Sequence, residues 1–132
     1  SATWRGDGIQ FSIDPGFSER PGKYGYHELG VALHESKVTN WRWSAAYGMD
    51  VGELKDLQCA IARRDTHTCY EMAIPWSDLI DDPTKIGPGS VIGFSLLIND
   101  NDGAGRRGWI EYNSGIGLVK DPSAFGDLLL VE

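Results

Sequence analysis

The sequence predicts an all-β fold: an antiparallel β-sandwich of jelly-roll type with one short helical turn. Three observations predict it. Apolar and polar residues alternate over short runs, as in strands with one buried face. The 17 glycines fall largely between those runs, where turns are needed. About seven strand-like runs leave almost no helix-period sequence, so two packed sheets are the expected architecture. A chain of 132 residues, 41% of them apolar, is expected to form one domain with a core of its own. No internal repeat, linker or low-complexity tract divides it.

The elements follow in order. In Ile9–Asp14, Ile9, Phe11 and Ile13 share one face and Gln10, Ser12 and Asp14 the other. Pro15-Gly16 ends this run, and FSERPGKYG reads as a loop. Tyr26–Leu33 directs Leu29, Val31 and Leu33 to the core; its other face carries Glu28, Gly30 and Ala32. Small residues inside a strand mark a place where something approaches closely. Val38–Trp43 is a short aromatic strand with Trp41 and Trp43 on one side. Leu57–Ala62 and Cys69–Ile74 form a hairpin. Pro75 opens the helical turn, with Ser77 and Asp78 available to cap it and Trp76 as a core anchor. Val91–Ile98 is the most apolar strand, bounded by Asn99–Gly103; Gly108–Tyr112 pairs back onto it, and Phe125–Val131 closes the chain. Cys59 and Cys69 flank the hairpin turn. A bulge there would align them for a disulfide, whereas strict alternation points them to opposite faces.

Charge narrows the function classes. The net charge is −7 with acids scattered along the chain, which argues against nucleic acid and anionic membrane partners. The basic pairs Arg63-Arg64 and Arg106-Arg107 sit beside turn residues and read as solvated loop tips. No apolar run approaches the roughly 20 residues of a membrane helix. The chain opens at Ser1 in strand-like sequence, as expected of a mature or excised piece.

Catalytic motifs are absent: no nucleophile elbow, P-loop, dinucleotide fingerprint or zinc-protease helix occurs. Glu28 with Glu71 is the carboxylate pair most suited to glycoside hydrolysis, but solvated acids are plentiful, and a non-catalytic role is expected. Asn99–Gly103 is rich in oxygen ligands and makes Asp100 and Asp102 candidate calcium ligands. EF-hand spacing fails, because Ile98 would fill the first position and Trp109 the twelfth; an Asx-rich turn is the competing reading. No organic cofactor is expected.

The five tryptophans are the strongest signal. Trp109, beside Ile110, is as well suited to burial as to exposure. Trp4 is set apart by Arg5-Gly6-Asp7-Gly8 from any apolar neighbour. An indole face stacks on the C–H-rich face of a pyranose, and nearby amide and carboxylate groups bind its hydroxyls. Trp4, Gln10, Glu28, Trp41, Trp43 and Tyr24 are therefore the candidate ligand-binding residues.

Several blocks are specific. W-x-G-D-G-I-Q-F-x-I-D at Trp4–Asp14, Y-E-M-A-I-P-W at Tyr70–Trp76 and V-I-G-F-S-L-L-I-N-D-N-D-G at Val91–Gly103 occur in order, followed by G-W-I-E-Y at Gly108–Tyr112 and K-D-P-S-A-F-G-D-L-L-L at Lys120–Leu130. Together they resemble family 9 carbohydrate-binding modules of the DOMON-like β-sandwich group. The resemblance implies a secreted module linked to a catalytic domain such as a xylanase. Such a module binds xylan, cellulose or related polysaccharides and carries structural calcium. It places Trp4 at one of two sugar-sandwiching tryptophans and Gln10 at an acidic hydrogen-bonding position. The second tryptophan corresponds to Leu118-Val119-Lys120 and a polar pair to Gly30 and Ala32, so an open surface using Trp4 with Trp41, Trp43 or Tyr24 is expected in place of a chain-end clamp. Additional strands usually precede the first block, and their absence implies a trimmed or shortened module, or an edge completed by another chain. Two other readings stay open: a haem-binding DOMON-type electron-transfer domain, drawing axial ligands from Met49, Met72, His27 and His34, and a structural sandwich whose sugar site has decayed.

Overall fold

A computed structural model describes residues 7–101 and 103–132. Eight strands form two antiparallel layers: β1 (Gly8–Asp14), β2 (His27–His34), β3 (Lys37–Ser44), β4 (Gln58–Arg63), β5 (Thr68–Ala73), β6 (Val91–Asn101), β7 (Arg106–Tyr112) and β8 (Gly126–Leu129). The larger sheet runs β3-β2-β1-β6-β7, with β8 also paired to β6; β4 and β5 form the second sheet. On its edge away from β1, β6 pairs with β8 through Val91–Phe94 and with β7 through Leu96–Asn101. The expected sandwich is thus present, with one layer reduced to a hairpin.

Period-2 alternation places the core. Ile9, Phe11, Ile13, Leu29, Val31 and Ile92 form the buried cluster with Leu54, Leu57 and Leu79. The hairpin closes over it through Cys59, Tyr70 and Met72, while Ile74 and the expected anchor Trp76 pack alongside. A second cluster of Leu97, Ile116 and Phe125 lies on the opposite face, where Tyr26 meets Phe125 edge-on at 5.5 Å.

Three local expectations are corrected. Among the described residues there are three 3-10 turns, at Trp76–Asp78, Pro83–Lys85 and Pro122–Ala124, in place of one. Ser77 and Asp78 do not cap the first, because they lie within it and the cap position is Pro75, which has no acceptor side chain. Asp82 and Asp121 cap the other two by accepting from the N–H groups of Thr84 and Ser123. The apolar strand does not end at Ile98: β6 continues to Asn101, with an irregularity in its pairing at Asp100/Asn101.

The hairpin register resolves the cysteines. Cys59 pairs with Met72 and Cys69 with Ala62, so three ladder steps, roughly 10 Å, separate them. That exceeds disulfide reach, and both thiols are free.

Candidate functional site

The face of β1 opposite the core was expected to be a hydrophilic surface open to water. Instead Gln10, Ser12, Asp14, Glu28, Ser95 and Asn99 are all buried there. The Asn113–Phe125 segment supplies the cover: Asp121 and Phe125 crowd Gly115, and Ser95 Oγ donates to the carbonyls of Tyr112 and Asn113. Burial on both faces makes every residue of β1 buried. Polar groups held this way are fixed in direction, provided that they are hydrogen-bonded. Gln10 Oε1 accepts from Asn99 Nδ2 at 3.0 Å. Glu28 Oε1 accepts from Lys120 Nζ at 2.6 Å across 92 residues of sequence. Asp14 accepts from the N–H groups of Gly16 and Gly22, although desolvation still raises its pKa.

A cleft of about 360 Å³ opens on this face, lined by Gln10, Glu28, Trp43, Arg106 and Lys120. Cross-strand pairing explains the meeting. Gln10 lies opposite Gly30, and Ser12 opposite Glu28, so Gln10 and Glu28 are diagonal neighbours on one face. An irregularity in β2–β3 pairing at Glu28/Leu29 leaves Trp43 between paired positions, and its ring covers Gly30. A Cβ at residue 30 would stand 2.6 Å from Trp43 Cζ3 and closer still to Cη2. The close approach expected at the Gly30/Ala32 strip is therefore made by the chain's own indole. The same overlap explains why a polar residue does not fit at position 30.

Of the sequence-predicted ligand residues, Gln10, Glu28 and Trp43 converge here. Trp41 is half-buried and pairs with Gly30, next to the cleft without lining it. Tyr24 stands apart: it stacks on Tyr47 at 4.9 Å and donates to Glu19, beside a separate polar recess that includes Pro15 and Asp81. Trp4 and Asp102 lie outside the described residues.

Arg106, Lys120 and Trp109 were not expected at this site. Arg106 is no solvated loop tip: its guanidinium lies 4.3 Å from the centre of the Trp109 ring and borders the cleft. Trp109 itself is 39% exposed and abuts Gly117, where a Cβ would meet its Nε1 at 2.5 Å. Glu111 Oε1, on the same strand, accepts from the N–H groups of Ile116 and Gly117 and anchors the covering loop.

The other readings find different geometry. Glu28 and Glu71 lie on opposite sides of the sandwich, since Glu71 points outward from the hairpin between inward-facing Tyr70 and Met72. They do not share a site. His27 is fully buried; its Nε2 donates to the Leu79 carbonyl at 2.8 Å and its Nδ1 accepts from the Ala46 N–H at 3.4 Å. Desolvation lowers its pKa to about 4, so the ring is neutral with both nitrogens occupied. His34 is exposed at the end of β2. A larger cleft of about 760 Å³ between the two sheets is lined by Ile, Phe and Leu side chains with Met72 and Tyr70, by the polar residues Asp7, Arg63, Thr68, Asn99 and Asp100, and by no histidine. With Met72 but no histidine in its lining, this cleft offers no axial Met–His pair.

Among the described residues, no three His, Cys, Asp or Glu side chains converge. Asn101 Oδ1 accepts from the N–H groups of Gly103 and Gly105, while Asp7 bonds to the Asn101 N–H and to Arg63. These oxygens are engaged within the loop and do not by themselves form a calcium cage. No described helix is long and apolar enough to cross a membrane.

Comparison with curated proteins and with solved structures returned no match. The family model described as carbohydrate family 9 binding domain-like matches residues 1–132. That match runs the whole length of the sequence, and the chain belongs to this family of carbohydrate-binding domains.

Proposed function

We propose that the domain is a non-catalytic module that binds oligo- or polysaccharide in the cleft of Gln10, Glu28 and Trp43. The observation that carries the reading is the meeting of a fixed amide, a fixed carboxylate and an indole face in one open cleft. Gln10 and Glu28 supply hydroxyl acceptors, and Trp43 supplies apolar ring contact. Trp4 is a further ligand-binding residue in this reading, and xylan, cellulose and related β-glycans from an extracellular setting are the ligands. Residues 1–132 act as one targeting unit for a linked glycoside hydrolase. One-ring stacking with a few hydrogen bonds gives affinities on the order of −4 to −7 kcal/mol, or roughly millimolar to ten-micromolar binding.

Titration with xylo- and cello-oligosaccharides, followed by tryptophan fluorescence and calorimetry, tests this reading together with retention on insoluble xylan, glucuronoxylan, cellulose and mannan. Binding that is lost in Trp43→Ala and Gln10→Ala supports it. Absence of binding to every glycan, or binding indifferent to both substitutions, rejects the cleft. A calcium ion would draw on Asp100, Asp102 and main-chain carbonyls; a thermal midpoint that drops on adding chelator and recovers with calcium supports such a site.

A further inference from the structure

We propose that this cleft selects saccharides bearing a carboxylate, that is, hexuronic acid residues, with Arg106 and Lys120 receiving the acid group. The inference rests on the saccharide reading of the same cleft and goes beyond it in naming the ligand class. The chain has 12 basic and 19 acidic residues, yet two of the three charged side chains lining this cleft are cations. Lys120 is paired with Glu28, which leaves the lining one positive charge in excess. That excess sits on Arg106, which has no carboxylate partner among the described residues; its Nε is buried without a hydrogen-bond acceptor. A neutral sugar does not compensate a charge held in this way, whereas an anionic one does.

The neighbouring acids are committed elsewhere. Glu111 accepts two backbone N–H groups, and Asp7 is paired with Arg63 and with the Asn101 N–H. The Arg106 guanidinium lies over the Trp109 ring, a cation–π contact that holds the side chain at the cleft, and a guanidinium is the group that grips a carboxylate through paired N–H donors. Lys120 is half exposed and keeps donors beyond the one given to Glu28. The pyranose then rests near Trp43, with Gln10 and Glu28 at its hydroxyls.

Calorimetry on the full chain with matched ligands tests the proposal. The pairs are a xylo-oligosaccharide with and without a glucuronic acid branch, and an oligogalacturonide against its carboxyl-reduced counterpart. Each is measured at low ionic strength and at about 0.5 M salt, where screening is strong. The acidic member is expected to bind about tenfold tighter or better, with the preference shrinking in salt. The acidic-to-neutral ratio falls to about one in Arg106→Gln, keeps part of its value in Arg106→Lys, falls in Lys120→Gln, and is unchanged in Arg64→Gln. Should Arg106→Gln fail to fold by circular dichroism, Lys120→Gln and the salt series decide. Equal, salt-insensitive binding of both members overturns carboxylate selection and leaves saccharide binding intact. Absence of binding to either member removes both readings. A sulfated xylo-oligosaccharide that matches the uronic one would show a general anion site and overturn the carboxylate class.

Discussion

The two faces of β1 are both buried, and they are buried by different means. On one, Ile9, Phe11 and Ile13 meet a hairpin that covers only part of the sheet, and a large apolar cleft remains beside them. On the other, Gln10, Ser12 and Asp14 lie beneath an irregular loop, and specific hydrogen bonds hold the Gln10 and Asp14 side chains, while Ser12 Oγ is buried without a partner. The first face derives stability from area removed from water, which tolerates a gap. The second depends on satisfied polar groups, which tolerate very little. The proposed saccharide cleft opens on the second, where the Gln10 and Glu28 side chains are held by hydrogen bonds. In that proposal one face serves stability and the other recognition, and substitutions on each can break the contrast.

The largest effect is expected at the centre of the apolar face. Leu29 is 1% exposed, and Leu29→Ala should lose about 3 to 5 kcal/mol through lost burial and a residual cavity. Urea unfolding measures it. A loss below about 1 kcal/mol would mean that the hairpin side is too loosely packed to be the stabilising one.

Acid should act next, through His27. Its folded pKa is about 4 and its unfolded value near 6.5, so the unfolded chain binds the proton first as pH falls. Stability is therefore full above about pH 6.5 and is lost progressively down to about pH 4, by up to about 3 kcal/mol. Urea midpoints across this window should follow that slope, and His27→Gln should flatten it. An unchanged slope in the variant assigns the acid sensitivity to other groups.

On the polar face, Gly30→Ala drives a methyl group into the Trp43 ring. The indole has to swing off its seat at a cost of about 1 to 3 kcal/mol, and sugar binding should weaken with it. Tryptophan emission reports the displacement and a glycan titration the loss. Retained affinity despite a displaced ring would show that Trp43 forms part of the cover without gripping ligand.

How much of this was legible in sequence depends on range. The two faces of β1, the small strip at Gly30 and the β6–β7 hairpin follow from local alternation, and the fold class follows from them. Gln10, Glu28 and Trp43 were legible as candidates because neighbouring strands bring them together. Arg106 and Lys120 were not, because they reach the cleft through pairing and loop cover that no local pattern encodes: the Glu28–Lys120 contact spans 92 residues. A basic pair beside a turn looks the same whether it is solvated or stacked on an indole. The burial of the polar face was hidden for the same reason, since glycine-rich sequence does not reveal that Asn113–Phe125 folds back over Ser95.

The smallest effect should come from the outer part of the apolar face. Ile98 and Ile110 pair across β6 and β7 beyond the hairpin, 46% and 74% exposed. Ile98→Thr keeps the β-branch and the strand geometry while removing a side chain that is only half withdrawn from water, so its cost should stay below about 1 kcal/mol. The same urea series that measures Leu29→Ala measures this one, and the difference between them is the gradient across one face of a single sheet. A cost approaching that of Leu29→Ala would mean that Ile98 is covered in solution. The apolar face would then be closed along its whole width, and incomplete packing would no longer distinguish it from the polar face.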